Sequence, residues 1–177
     1  MKTYLTYGGL MALASALLTL LLFFFGFHTS EKFIWGAVIQ FALGLGIGIT
    51  GVILGIKAKR AENGASGISY GQAFLAGLMI CVVSSIIGTF FATTYAHLIN
   101  PAYQDVAVEW SASMLEKQGA SEEKIEQMKE KAREGRSIAK EVAYSLIGGV
   151  VFGGVISLIA AAFLKRAPTE PSNLAGD

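Results

Sequence analysis

Residues 33–56 read FIWGAVIQFALGLGIGITGVILGI, a run without one Asp, Glu, Lys or Arg. An α-helix rises about 1.5 Å per residue, so about 20 residues cross a bilayer core about 30 Å thick. In hydrocarbon every backbone N–H and C=O must be bonded within the protein. A run this long and apolar is therefore a helix, because barrel strands would be about 10 residues long with alternating polarity. Three further runs share the pattern: Leu5–Phe27, Ala73–Leu98 and Val142–Leu164. The expected fold is an all-α polytopic membrane four-helix bundle over residues 1–166. A polar helical insert at 100–136, read as an extracytoplasmic amphipathic hairpin, separates spans three and four. The tail 167–177, with Pro168 and Pro171, is expected to be disordered and cytoplasmic.

Composition agrees. Of 177 residues, 53% are hydrophobic and 15% charged, against roughly 25% charged in a soluble domain. Mean hydropathy is +0.54. A net charge of +1 gives no footprint for nucleic acid. The single cysteine, Cys81, excludes an internal disulfide framework.

The first span has Lys2 before it and Ala-x-Ala patterns at Ala12–Ala14 and Ala14–Ala16. Its most apolar part, Leu17–Phe25, comes after those patterns, the wrong order for a cleaved signal peptide. It is read as a retained span. Basic residues set the orientation. Lys57, Lys59 and Arg60 follow span two, Lys165 and Arg166 follow span four, and Lys2 precedes span one. An even number of spans puts all of these on one side. Both termini are expected in the cytoplasm, and the insert on the extracytoplasmic side.

Asn100-Pro101 is expected to start the insert's first helix, with Asn100 as N-cap and Gln104 completing a capping box. Its apolar stripe is Tyr103, Val106, Trp110 and Met114. This stripe is the expected interface with the bundle, the membrane surface or a partner. Gly119 breaks the chain, and Ser121 caps a second, mostly solvated helix with Glu122 and Glu123 in its first turn. In the link between spans two and three, Ser69 and Gln72 form another capping-box pair.

Small residues recur at helical spacing within the spans. Span two carries Gly44, Gly48, Gly51 and Gly55 on one face. Span three carries Gly77, Cys81, Ser84 and Gly88, and span four carries Gly149 and Gly153. The hydrophobic effect does not drive helices together in lipid, whereas small residues permit close approach. These glycines are expected to be the packing contacts of the bundle, with span two also offering a face to a second copy or another membrane protein.

Ionisable groups are absent from the depth of every span, which argues against a proton relay, a voltage sensor or ion-coupled transport. Gln40 is the strongly polar group inside span two. At the insert end, His28, Glu31, His97 and Glu141 are the groups that a metal would need, but they form no ligand motif. No catalytic, cofactor or metal residues are assigned.

The ordered set LGIKAKR, ISYGQAF, INPAY, GASEEKIEQM and GVISLIAAAFLKR resembles domain-of-unknown-function family four-one-nine-nine, a family of small bacterial membrane proteins. The resemblance covers Lys2 to Arg166. It implies four spans, an external helical segment and an inner-membrane location, and it brings no activity or site residues. The glycine content of spans two and four, and the length of the tail, depart from the family pattern.

The function expected from these features is non-enzymatic: a membrane scaffold or accessory subunit with the lipid bilayer and a homo-oligomeric or membrane-protein partner. The alternative is a small transporter or permease for a neutral or apolar solute. A third class, an enzyme at the outer edge, would rest on His28, His97 and Glu141.

Overall fold

The computed structural model describes residues 1–134 and 137–166. The expected tail at 167–177 and the end of the insert at 135–136 lie outside the described residues. Six α-helices account for nearly all of the described chain: α1 (Lys2–Phe24), α2 (Phe33–Asn63), α3 (Tyr70–Thr94), α4 (Tyr103–Lys117), α5 (Glu122–Glu134) and α6 (Ile138–Leu164). Helices α1, α2, α3 and α6 are long and apolar enough to cross a membrane.

The helix ends have local causes. After α1 the chain reverses at Gly26, whose φ of 73° favours a residue without Cβ. Helix α2 runs on past Ile56, because Lys, Ala and Arg are good helix formers. It ends in a 3-10 turn at Gly64–Ser66, flanked by the positive φ of Gly64 and Gly67. Helix α3 starts at the expected capping box: Ser69 Oγ accepts from the Gln72 N–H, and Gln72 Oε1 accepts from the Ser69 N–H. Ser137 has extended backbone, which separates α6 from what precedes it.

The start of α4 differs from expectation. Span three leaves its α-helix through a π-helical turn at Tyr95–Ile99. Asn100 then does not cap α4. Its side-chain amide donates to the Tyr95 hydroxyl at 2.9 Å. Only its carbonyl serves the next turn, accepting from the Tyr103 N–H at 3.0 Å. Gln104 is likewise engaged elsewhere, with Glu141. Tertiary partners outbid the local cap.

Helix α3 is the central member, packed on α6, α1 and α2, while α2 also meets α1 and α6. The core is densest at the end that carries the α2–α3 link, where Val52, Ile56, Ile68, Ile80 and Ala161 have no exposed surface. Ile68 and Arg166 exchange backbone hydrogen bonds of 3.0 and 2.9 Å, tying the link to the end of α6. Glu62 accepts from Thr3 and from Lys59, tying the start of α1 to the end of α2. The outside is apolar. Leu10, Leu13, Leu17 and Leu21 make a stripe along α1, each 52–56% exposed. Such a stripe is costly in water and at no disadvantage in lipid.

Candidate functional site

Toward the insert end the bundle is hollow. Ala12 and Ala16 of α1 sit at the level of Gly88 and Ala92 of α3, and side chains this small leave the space between the helices unfilled. The result is a cavity of about 630 Å³. Neutral hydrogen-bonding groups line it: Ser15 and Thr19 of α1, Gln40 of α2, Thr89 and Thr93 of α3, and Ser145 of α6. A second cavity of about 270 Å³ continues toward the middle of the bundle, past Ser84 and Ser85 to Cys81 and Gly153. The two share Ser15, Gly88, Thr89 and Ser145 as walls.

These polar groups are partly satisfied by one another. Thr89 and Ser145 hydroxyls lie 2.9 Å apart. Thr19 donates to the Ser15 carbonyl at 3.0 Å and lies 3.4 Å from Gln40 Oε1. Gln40 is thus one of several polar groups, where the sequence singled it out. The hydroxyls were legible in principle: Ser15–Thr19 and Ser85–Thr89 both recur at i, i+4. Serine and threonine also serve as ordinary helix-packing residues, so spacing did not separate cavity from contact.

The insert end closes over the larger cavity through His28, Tyr95, Tyr103, Gln104, Val108, Ala132 and Glu141. His28 Nδ1 is hydrogen-bonded to the Tyr95 hydroxyl. Because Asn100 donates to that hydroxyl, it is free to donate its own proton to a neutral imidazole. Burial pushes the His28 pKa below its ordinary value, in the same sense. Burial likewise pushes the Tyr103 hydroxyl up. Glu141, in the first turn of α6, takes His97 Nε2 at 3.1 Å on one oxygen and the Gln104 amide at 2.9 Å on the other.

Of the four groups considered for a metal, the structure brings only His97 and Glu141 into contact; His28 pairs with Tyr95. Among the described residues no three His, Cys, Asp or Glu side chains converge. In the α4 stripe, the Tyr103 ring lies 4.9 Å from His28 and 5.9 Å from Phe33. Trp110 lies 5.5 Å from Phe33. These two rings face the protein's own bundle. Val106 is half-buried and Met114 is exposed.

The glycines fall into two groups. A Cβ on Gly77 would meet Ser157 Oγ at 2.7 Å, and one on Gly153 would meet Cys81 Sγ at 2.6 Å. On Gly51 it would collide with Met11, on Gly55 with Ile80, and on Gly149 with Ser85. Gly44 and Gly88 have nothing within 4 Å, and Gly48 meets only Ile156 at an ordinary 3.6 Å. These three border the smaller cavity.

Four helices long and apolar enough to cross a membrane define the class: an all-helical, multi-pass membrane protein. The chain belongs to the family described as Protein of unknown function (DUF4199), which matches residues 6–166. No curated protein and no solved structure matches it.

Proposed function

We propose that the chain is a non-enzymatic bacterial inner-membrane protein that takes a small neutral solute into the cavity under its insert, as a permease or solute-binding subunit would. The observation that carries this reading is the cavity itself. Its size is in the range of small-molecule sites, about 300–1,000 Å³. Apart from His28, Gln104 and Glu141 of the insert end, its polar groups are hydroxyls and the Gln40 amide, which suits an uncharged ligand with a few polar atoms. In this conformation the dense core around Ile56 and Ile80 blocks the path to the link end. Transport would need that core to open.

The sidedness belongs to the same proposal. Met1, the basic α2–α3 link and Arg166 meet at one end of the bundle, which supports a cytoplasmic link end and an extracytoplasmic insert. The scaffold reading retains one support, the exposed charged surface of α5. Its other motive is weaker, because Gly51, Gly55, Gly77, Gly149 and Gly153 are occupied by contacts within the chain.

The test is uptake by liposomes containing the purified protein, across a panel of small neutral compounds. Gly88→Leu serves as the blocked variant, since its side chain has open cavity to enter. Uptake by the wild type and its loss in Gly88→Leu is the expected result. Equal uptake by both, or neither uptake nor saturable binding of any compound by the wild type, would overturn the proposal.

A further inference from the structure

At the link end, the last turns of α2, the link at residues 64–67 and Arg166, two residues after α6, line an open cavity of about 260 Å³. Three cations line it, Lys57, Arg60 and Arg166, with no acid among its walls in the described residues. They come from positions 57, 60 and 166 and are assembled by the Ile68–Arg166 backbone pairing. Glu62, two residues after Arg60, is turned to Lys59 and Thr3 instead. Lys59 is thereby neutralised and stands apart from the cavity. Arg60 donates to the Leu164 carbonyl at 3.5 Å. Lys57 and Arg166 have no side-chain hydrogen bond or ion pair among the described residues.

We propose that this cavity binds the phosphate of an anionic lipid headgroup. Phosphate is a group that three cations lining one cavity recognise where no acid stands beside them among the described residues, and arginine's planar fork suits its oxygens. The depth selects lipid as the source. The apolar run of α2 ends at Ile56, immediately before Lys57, and that of α6 ends at Leu164, two residues before Arg166. The cations therefore stand at headgroup level, where anionic lipids concentrate. The site is independent of the solute cavity at the other end.

The experiment is native mass spectrometry of the full chain released from detergent, with phosphatidylglycerol or phosphatidylcholine of the same acyl chains added. The variant is Lys57→Gln with Arg166→Gln, which keeps the Ile68–Arg166 backbone pairing and removes two side chains that hold no partner among the described residues. The control is Lys2→Gln with Lys165→Gln, which removes equal charge at the same end, outside the cavity, and leaves the Lys59–Glu62 pair in place. Wild type and control should retain phosphatidylglycerol over phosphatidylcholine. The cavity variant should bind it more weakly by about fivefold for each cation removed. Equal retention by the cavity variant, or equal loss in the control, would overturn the site. Displacement of the lipid by inorganic phosphate at matched concentration would make the ligand a free anion and overturn the headgroup assignment.

Discussion

The hydroxyls of Thr89 and Ser145 stand 2.9 Å apart, joining α3 to α6 where the two interior cavities meet. Thr89 is only 5% exposed. An interhelical hydrogen bond in a membrane bundle contributes about 0.6 kcal/mol on average and about 1.7 at most. Thr89→Val keeps the shape and removes one of the two hydroxyls. It should lower stability by that modest amount, measured by unfolding in mixed detergent. Thr89→Leu should leave the fold in place and narrow the junction. Solute uptake should then fall toward the level of protein-free liposomes.

The two glycine groups separate in the same assay. Gly77→Ala places a methyl on Ser157, and Gly153→Ala places one on Cys81, both well inside contact distance. Overpacking of this kind costs typically about 1–3 kcal/mol. Gly44→Ala and Gly88→Ala meet nothing within 4 Å and should stay within about 0.5 kcal/mol of wild type. A uniform response at all four positions would mean that the helices do not approach as described.

What the sequence made legible follows from the range of the forces involved. Apolar length is a local property, so the four long helices could be read from it directly. So could the Ser69–Gln72 cap, whose partners lie three residues apart. Asn100 looked like an equally good cap, but Tyr95 reaches its amide across the π-turn, and no local pattern records that competition. The glycine face of α2 reads as uniform in sequence. In the fold, Gly51 meets Met11 while Gly44 faces open space, because the partner helix decides which part of a face is used. The cavity was the least legible feature, since it arises where small residues on two helices fall at one level and neither helix alone announces it.

His28 links stability to pH. Burial lowers its pKa below the ordinary 6.5, so below that pH the unfolded chain binds a proton that the folded chain resists. Stability then rises with pH across this window. It is fully present above about pH 6.5 and is lost as pH falls toward the lowered folded value. Melting midpoints in detergent at pH 7.5 and pH 5 should differ, with the lower midpoint at pH 5. His28→Gln should reduce that difference. An unchanged difference in His28→Gln would assign the dependence to another group.

The orientation can be read in intact cells with a membrane-impermeant maleimide. Cys81 is buried, and Gln118 and Ser66 are exposed at opposite ends of the bundle. In a Cys81→Ser background, Gln118→Cys places a thiol beside the turn between α4 and α5. Ser66→Cys places one in the 3-10 turn that follows α2. The basic residues beside Ser66, namely Lys57, Lys59, Arg60 and Arg166, favour the cytoplasm. The expected result is labelling of Gln118→Cys in whole cells, and of Ser66→Cys only after the cells are opened. The reverse pattern would invert the topology and place the solute cavity on the cytoplasmic side. Labelling of both in whole cells would mean that the two ends do not lie on opposite sides of a sealed membrane, and the four-span reading would fail with it.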